Sequence, residues 1–481
     1  MTETAGDLQA GFRRPLAERE ELGRSLRKTA PRSSHGDWSP APDRPDPVAL
    51  LTAQDADRLD FLVPIRHRRM GESAFAFYRG TAAIMAGDLA GTPETGLRAQ
   101  ICGDAHLSNF GAFASPERAL LFDVNDFDET AIGPWEWDLK RLAASLVLAA
   151  RSLGLSPKKA RAVCSAGTDQ YRAAMREFAG MGNLEFWYDR IDVDHLRGLS
   201  KSKRQEERLA RGERKARRRT SLRSFERLTE TVDGKARIRS DPPLLVPLRD
   251  FSGDLPERWE QRVAEAFDAY LSTLPGETQA LLRRYEMVDI ALKVVGVGSV
   301  GTRCLATLLI GRDQGDPLFL QIKEAGASAL EPELGPSPYE NAGRRVVEGQ
   351  RLMQAFSDIM LGWSSVATAP RGGALRGDGR DYYWRQLKDM KGSAEIETMD
   401  AGTLNNYARI CGWALARAHA RSVDAVAIAA YLGKGGVFID AITRFGEAYA
   451  DQAEADYDLF AGALESGALE TDAPADSPVR H

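Results

Sequence analysis

The chain is predicted to fold as a two-lobed α+β protein, and three observations predict it. Two apolar runs, Ala99 to Cys102 and Ala119 to Val124, have strand character, and each ends at a carboxylate-bearing loop. Much later, Ile290 to Ala325 reads as three strands joined by a glycine turn and a polar turn, an antiparallel meander. Between and after these blocks the apolar spacing is helical, most plainly over Trp137 to Val147 and Asn405 to Arg421. The expected division is an irregular N-terminal arm over 1–48, a mostly helical lobe over 49–286 and an antiparallel-sheet lobe over 287–395. Helices over 396–465 complete the helical lobe, and 466–481 form a disordered tail.

A length of 481 residues and an apolar share of 43% support sizeable cores in two or three domains, or in one enzyme with insertions. The net charge of -5 gives no general attraction for nucleic acid, which is not expected as a partner. Cys102, Cys164, Cys304 and Cys411 are scattered without paired spacing. That pattern fits neither a disulfide framework nor a zinc site, and it suits a reducing cytosol. No run approaches the roughly 20 apolar residues of a membrane span or resembles a signal peptide. A cytoplasmic protein without membrane contact is expected.

The elements follow in order. Prolines at 40, 42, 45 and 47 favour an extended arm, with ordered structure from Val48 onward. Arg66-His67-Arg68-Arg69 is either a phosphate-binding cluster or the solvated face of a helix. Trp137 to Val147 is a largely buried helix, with further helices through 157–190. The basic run over 197–219 has no interleaved aromatics and reads as an exposed helix with intrahelical ion pairs. Residues 256–286 are helical. Ile290 then opens a strand that runs into Gly296-Val297-Gly298-Ser299-Val300-Gly301.

This glycine motif suits a dinucleotide fold only if a helix follows, and a phosphate-covering hairpin only if a strand follows. Thr302 to Gly311 is β-branched and apolar, which favours the hairpin. The third strand, Pro317 to Ala325, carries Lys323. A helix over about 341–357 presents Glu348 as a candidate partner for that lysine. Tyr382 to Leu387 is a strand leading to a hinge, and His419 has a structural role.

Two loops carry the chemistry. Gly103-Asp104-Ala105-His106-Leu107-Ser108-Asn109 places an Asp five residues before an Asn, and Asp126-Phe127-Asp128 follows. Phosphoryl transfer needs one carboxylate to accept the proton of the attacking hydroxyl, and an Asn and a second carboxylate to hold magnesium. The bland alternative is a pair of acidic surface loops.

Gly103-Asp104-x-His106-x-x-Asn109 resembles the catalytic loop of aminoglycoside phosphotransferase and choline-kinase relatives, and Asp126-Phe127-Asp128 resembles their metal-binding motif. The longer matches are closer to the bacterial domain of unknown function 2252 family, over about 45–460. They are Arg79-Gly80, Gly103 to Gly111, Asn125 to Glu129, Gly133 to Arg141 and Arg345 to Arg351. The kinase-like resemblance implies a protein-kinase-like fold. Its order of elements is circularly permuted here, because the glycine hairpin follows the catalytic loop in the chain. It implies an ATP- and magnesium-dependent phosphotransferase acting on a hydroxyl of an unidentified acceptor.

In that reading Asp104 is the base, and Asn109 and Asp126 are magnesium ligands, with Asp128 or Asp123 as further ones. Gly296, Gly298 and Gly301 cover the phosphates, Lys323 holds them with support from Glu348, and Asp138 braces the catalytic loop. The alternatives are a nucleotide-binding pseudokinase, an AMP-transferring enzyme and, further off, a Rossmann-type dinucleotide-binding oxidoreductase.

Overall fold

Two blocks of strands and a large helical body frame one cleft. The structure, a computed structural model, describes residues 10–192, 203–217, 221–251, 255–294, 296–366, 379–387 and 390–471. The first block holds β1 (Arg98–Ile101), β2 (Phe110–Ala114), β3 (Leu120–Val124) and β4 (Ala131–Pro134). These strands are nested: β2 pairs antiparallel with β3, and β1 with β4. The loop from β1 to β2 and the loop from β3 to β4 therefore leave the strands on one side. The amide of Asn125 donates to the carbonyl of Asn109 at 2.8 Å and ties the two loops together. Short β5 (Ile191–Asp192) adds to β3, and a separate hairpin of β6 (Thr229–Val232) and β7 (Lys235–Ile238) packs on the second block, the Ile238 amide donating to Asp289 at 2.6 Å.

The second block is a six-stranded sheet. It contains β8 (Leu245–Pro247), β9 (Glu286–Lys293), β10 (Cys304–Ile310), β11 (Pro317–Ala325), β12 (Gly362–Val366) and β13 (Arg380–Gln386), ordered β12-β13-β11-β10-β9-β8. The pairings β9–β10, β10–β11 and β11–β13 are antiparallel, so the expected meander is present. The mixed α+β class with antiparallel sheets holds. β14 (Gly392–Ser393) returns to pair with β2, linking the two blocks through the chain.

The helical body centres on the helix Trp135–Ser152, buried along nearly its whole length, charged residues included. Each charge it buries has a local partner. Glu136 accepts from the Thr95 amide at 2.8 Å and its hydroxyl at 2.7 Å, and Lys140 donates to the Thr92 hydroxyl at 2.7 Å. Helices Pro157–Phe178, Ala401–Ala420 and Val437–Glu465 pack around it. Pro157–Phe178 and Ala401–Ala420 approach so closely that a Cβ on Gly412 would collide with the carbonyl of Gly167. Overpacking of this kind costs about 1–3 kcal/mol. Gly412→Ala is accordingly expected to lower the urea midpoint with an unchanged m-value, read by circular dichroism.

Three expectations are corrected. The N-terminal arm is not irregular throughout: Leu16–Thr29 is a helix packed on the helix Ala425–Leu432. Its prolines, Pro15 and Pro31, flank a proline-free run of good helix formers, and the proline-dense stretch begins only at Pro40. Residues 245–282 belong with the sheet lobe rather than the helical lobe. β8 extends its sheet, and Tyr270, from the helix Leu255–Ser272, stacks on Trp384 of β13 with ring centroids 4.7 Å apart. The helical run over 256–286 ends at Leu282, and Glu286 already begins β9.

The basic run keeps a helix over Lys203–Arg217, where Arg217 pairs with Glu213 at 2.9 Å. Its members Arg197, Lys201 and Arg219 lie outside the described residues, as does 472–481 of the expected tail. Among the described residues no single helix is long and apolar enough to cross a membrane. The helices Ala425–Leu432 and Val437–Glu465 together match a span in composition, but they meet at 88° and pack into the helical core.

Candidate functional site

The two nested loops open onto a cavity of about 370 Å³ that the glycine turn roofs from the other lobe. The local reason starts at Gly103. It has φ +79°, and a side chain there would collide with the carbonyl of Glu129. Only glycine lets the first loop turn this tightly against the second. Asp138 fixes the turn by accepting the amides of Cys102 at 2.8 Å and Gly103 at 3.0 Å. Behind it, His419 Nε2 lies 3.1 Å from Asp138, and His419 Nδ1 lies 2.9 Å from the Tyr171 hydroxyl. Asp138 and His419 are thus positioning residues beneath the loop.

Asp104 follows the turn and lines the cleft. Arg141, one helical turn after Asp138, meets its carboxylate at 2.9 Å from Nε and 2.8 Å from Nη2. Burial outweighs that guanidinium and pushes the Asp104 carboxyl up to about 7. Asn109 donates through its side chain to the Asp104 carbonyl at 2.6 Å, which fixes the amide's orientation at the cleft. His106 is held well below its usual value by burial and by Arg79 and Arg141, so it is a neutral ring. Its Nδ1 accepts from the Ser108 amide at 3.2 Å.

In the second loop Phe127 is buried in the core and turns Asp126 and Asp128 toward the cleft. Across from them stands Lys323 of β11, nearly two hundred residues later in the chain. Its ammonium meets Asp128 directly and lies 3.6 Å from Asp126. Tyr383, directly opposite Lys323 on β13, donates to Asp128 at 2.6 Å, and Ser299 of the glycine turn donates at 3.2 Å.

Burial opposes ionisation of Asp128, but the charge and hydrogen bond of Lys323 and the Tyr383 hydroxyl prevail and hold it at about 2. Burial likewise opposes the Lys323 charge, and Asp126 and Asp128 overcome it. By contrast, Asp126 Oδ1 is buried and accepts no hydrogen bond. This oxygen is the one 3.6 Å from the Lys323 ammonium, beyond hydrogen-bond reach, so it keeps lone pairs that a metal ion could take. Among the described residues no three His, Cys, Asp or Glu side chains form a preassembled metal cluster. One or two carboxylates suffice for magnesium when phosphates supply the remaining ligands.

Several expected roles change. Glu348 does not support Lys323; it lies 3.9 Å from Arg351, one turn along its own helix. The helix is Ala342–Met353, and the residue it aims at the site is Arg345. Arg345 donates to the carbonyls of Thr130 at 2.6 Å, Asp128 at 2.8 Å and Gly326 at 3.0 Å. The orienting carboxylate for Lys323 is therefore Asp128, which leaves Asp126 as the freer oxygen donor.

Asp123 is no cleft residue. It is buried in β3, all of whose residues are buried, and pairs with Arg417 at 2.5 Å. The basic cluster near 66 is no phosphate site either: Arg66 and His67 both bind Asp55, at 2.7 and 2.8 Å. Gly296 and Gly298 line the cleft, whereas Gly301 packs on the Arg58 side chain. β10 occupies the segment where a dinucleotide fold needs a helix, so the glycine turn lacks the strand-to-helix context of a Rossmann fingerprint. The expected hinge lies partly outside the described residues, at 388–389.

A family model for uncharacterized proteins conserved in bacteria matches residues 58–463. The chain belongs to this family, DUF2252. Comparison with curated proteins and with solved structures returns no match. The DUF2252 segment begins at Arg58, one wall of the cleft, and encloses both loops, the meander and the His419 helix. Four residues at this cleft, Arg141, Tyr383, Arg345 and Arg79, had no expected role, although Arg79, Arg141 and Arg345 fall within the family-like motifs. Arg141 was recoverable from its helical spacing to Asp138. Tyr383, Arg345 and Arg79 owe their places to strand register and lobe packing.

Proposed function

We propose that this protein is a phosphotransferase with a kinase-like site, using ATP and magnesium to phosphorylate a hydroxyl of its acceptor. The observation that carries the reading is the meeting of Lys323 with Asp126 and Asp128 opposite Asp104 and Asn109, beneath the turn Gly296 to Ser299. A lysine on a strand beside a glycine hairpin suits the α- and β-phosphates of a nucleotide. Asp104 is the group to receive the acceptor proton, because a base works best with a value near neutrality. Asp126 and Asn109 would hold magnesium, which when bound supplies charge neutralisation at the phosphates.

In this reading the sheet lobe and the helical body correspond to the two lobes of a kinase-like fold. The chain order is then circularly permuted: the glycine hairpin, lysine and Arg345 helix follow the catalytic loop instead of preceding it. Arg345 ties the loop that carries Asp126 and Asp128 to the sheet lobe through the carbonyls of Asp128 and Gly326.

Incubation of the full chain with ATP, magnesium and a mixture of small hydroxyl compounds, read by mass spectrometry, tests the activity. Formation of ADP together with an acceptor that has gained a phosphoryl group is expected. Pyrophosphate with an AMP-bearing product would instead assign AMP transfer. Nucleotide binding without either product would make the protein a pseudokinase.

A further inference from the structure

We propose that the acceptor carries an oxyanion, a phosphate or a carboxylate, near the hydroxyl that is phosphorylated, and that Arg79 binds it. The inference rests on the phosphotransferase reading and adds the chemical class of the acceptor.

The charges of the cleft are almost all answered from within the protein. Asp104 is held by Arg141, Asp128 by Lys323, and Glu324 by Arg303 and Arg380. Asp57 also meets Arg380, at 2.6 Å, and Glu129 accepts the Ala329 amide at 2.6 Å. Arg58 donates to the carbonyls of Gly298 at 2.8 Å and Val300 at 2.5 Å. Arg79 differs from these. It lines the same cleft, its Nε is buried without an acceptor, and among the described residues its guanidinium has neither a hydrogen bond nor an ion pair. A guanidinium out of full solvent contact with no partner is costly, and a bidentate oxyanion is what its fork of donors fits.

Its position selects the acceptor side. The preceding residue, Tyr78, is clamped by Arg141, which donates to its carbonyl at 2.6 Å and lies over its ring at 3.9 Å. The same Arg141 holds Asp104. Arg79 is thereby tied to the base, and Lys323 and Asp126 serve the nucleotide across the cleft. A cavity of about 370 Å³, shared with the end of a triphosphate, suits a small molecule.

The test is calorimetry on the full chain saturated with magnesium and a non-hydrolysable ATP analogue, titrated separately with glycerol 3-phosphate, glycerate and glycerol. Glycerol is expected to bind at least tenfold more weakly than the better of the two anions, and which anion is better distinguishes a phosphate from a carboxylate source. Arg79→Gln should weaken that anion by roughly ten- to hundredfold and remove the preference over glycerol. Arg79→Lys, which keeps the charge and loses the fork, should retain part of it. Equal affinity for all three probes, binding of none of them, or an Arg79→Gln protein with undiminished anion affinity would overturn the proposal. So would an Arg79→Gln protein whose loss falls on the ATP analogue instead. Failure of the unaltered chain to bind the ATP analogue would strike the phosphotransferase reading itself, and the anion titrations without nucleotide would still report on Arg79.

Discussion

Asp104→Asn is expected to lower the rate of phosphoryl transfer by roughly 10²- to 10⁴-fold, the range typical for loss of a general base. The amide can still accept from Arg141, so the loop should keep its shape and nucleotide affinity should change little. The pH dependence separates a base from a bystander. With its carboxyl pushed up to about 7, Asp104 is largely protonated in mildly acidic solution and ionises as pH rises through neutrality. The rate of the unaltered enzyme should rise roughly tenfold per pH unit below that value and level off above it, and the residual rate of the asparagine variant should be flat across the same range.

Stability carries the opposite sign. The folded value lies above the ordinary 3.8, so between 3.8 and 7 the unfolded chain gives up this proton first. Asp104 therefore makes the fold less stable as pH climbs through that window. Removing the carboxylate should flatten this part of the thermal stability curve. A steep pH profile that survives in the variant would assign the proton to another group.

Asp138→Ala should be the most damaging single change to the fold around the site. Asp138 is fully buried and satisfies two loop amides as well as the contact with His419. Its removal leaves buried donors without acceptors, at a cost of about 3–5 kcal/mol. A large drop in the thermal midpoint and loss of transfer activity are expected together. Asp138→Asn, which retains one acceptor oxygen, should recover part of the stability. A midpoint unchanged by Asp138→Ala would remove Asp138 from its bracing role.

The two acidic loops that meet at the cleft were legible in the sequence because their residues lie within one short stretch. Asp104, Asn109, Asp126 and Asp128 are separated by fixed spacings, and the flanking strands alternate or run apolar in a readable way. The meander was legible for the same reason: glycine, turn and β-branched residues sit in series. What escaped depends on packing between distant elements. Helical spacing alone points to Glu348, but the helix turns Arg345 rather than Glu348 toward the site, and the pairing with Lys323 falls to Asp128. Tyr383 reaches Asp128 because strand register sets it opposite Lys323, and a sequence does not state register between strands that are not joined by a tight turn. The N-terminal helix was obscured by the prolines of a neighbouring segment. The placement of 245–282 was missed because β8 is only three residues long and its sheet partner lies some forty residues downstream.

Two distant halves of the chain are expected to build one nucleotide site. Calorimetric titration of ATP into the intact protein and into Lys323→Ala and Asp126→Ala, each with and without magnesium, tests it most directly. Lys323→Ala should weaken ATP at least tenfold under both conditions. Asp126→Ala should do so only when magnesium is present, because its oxygen acts through the metal. Unchanged ATP affinity in both variants would contradict the site.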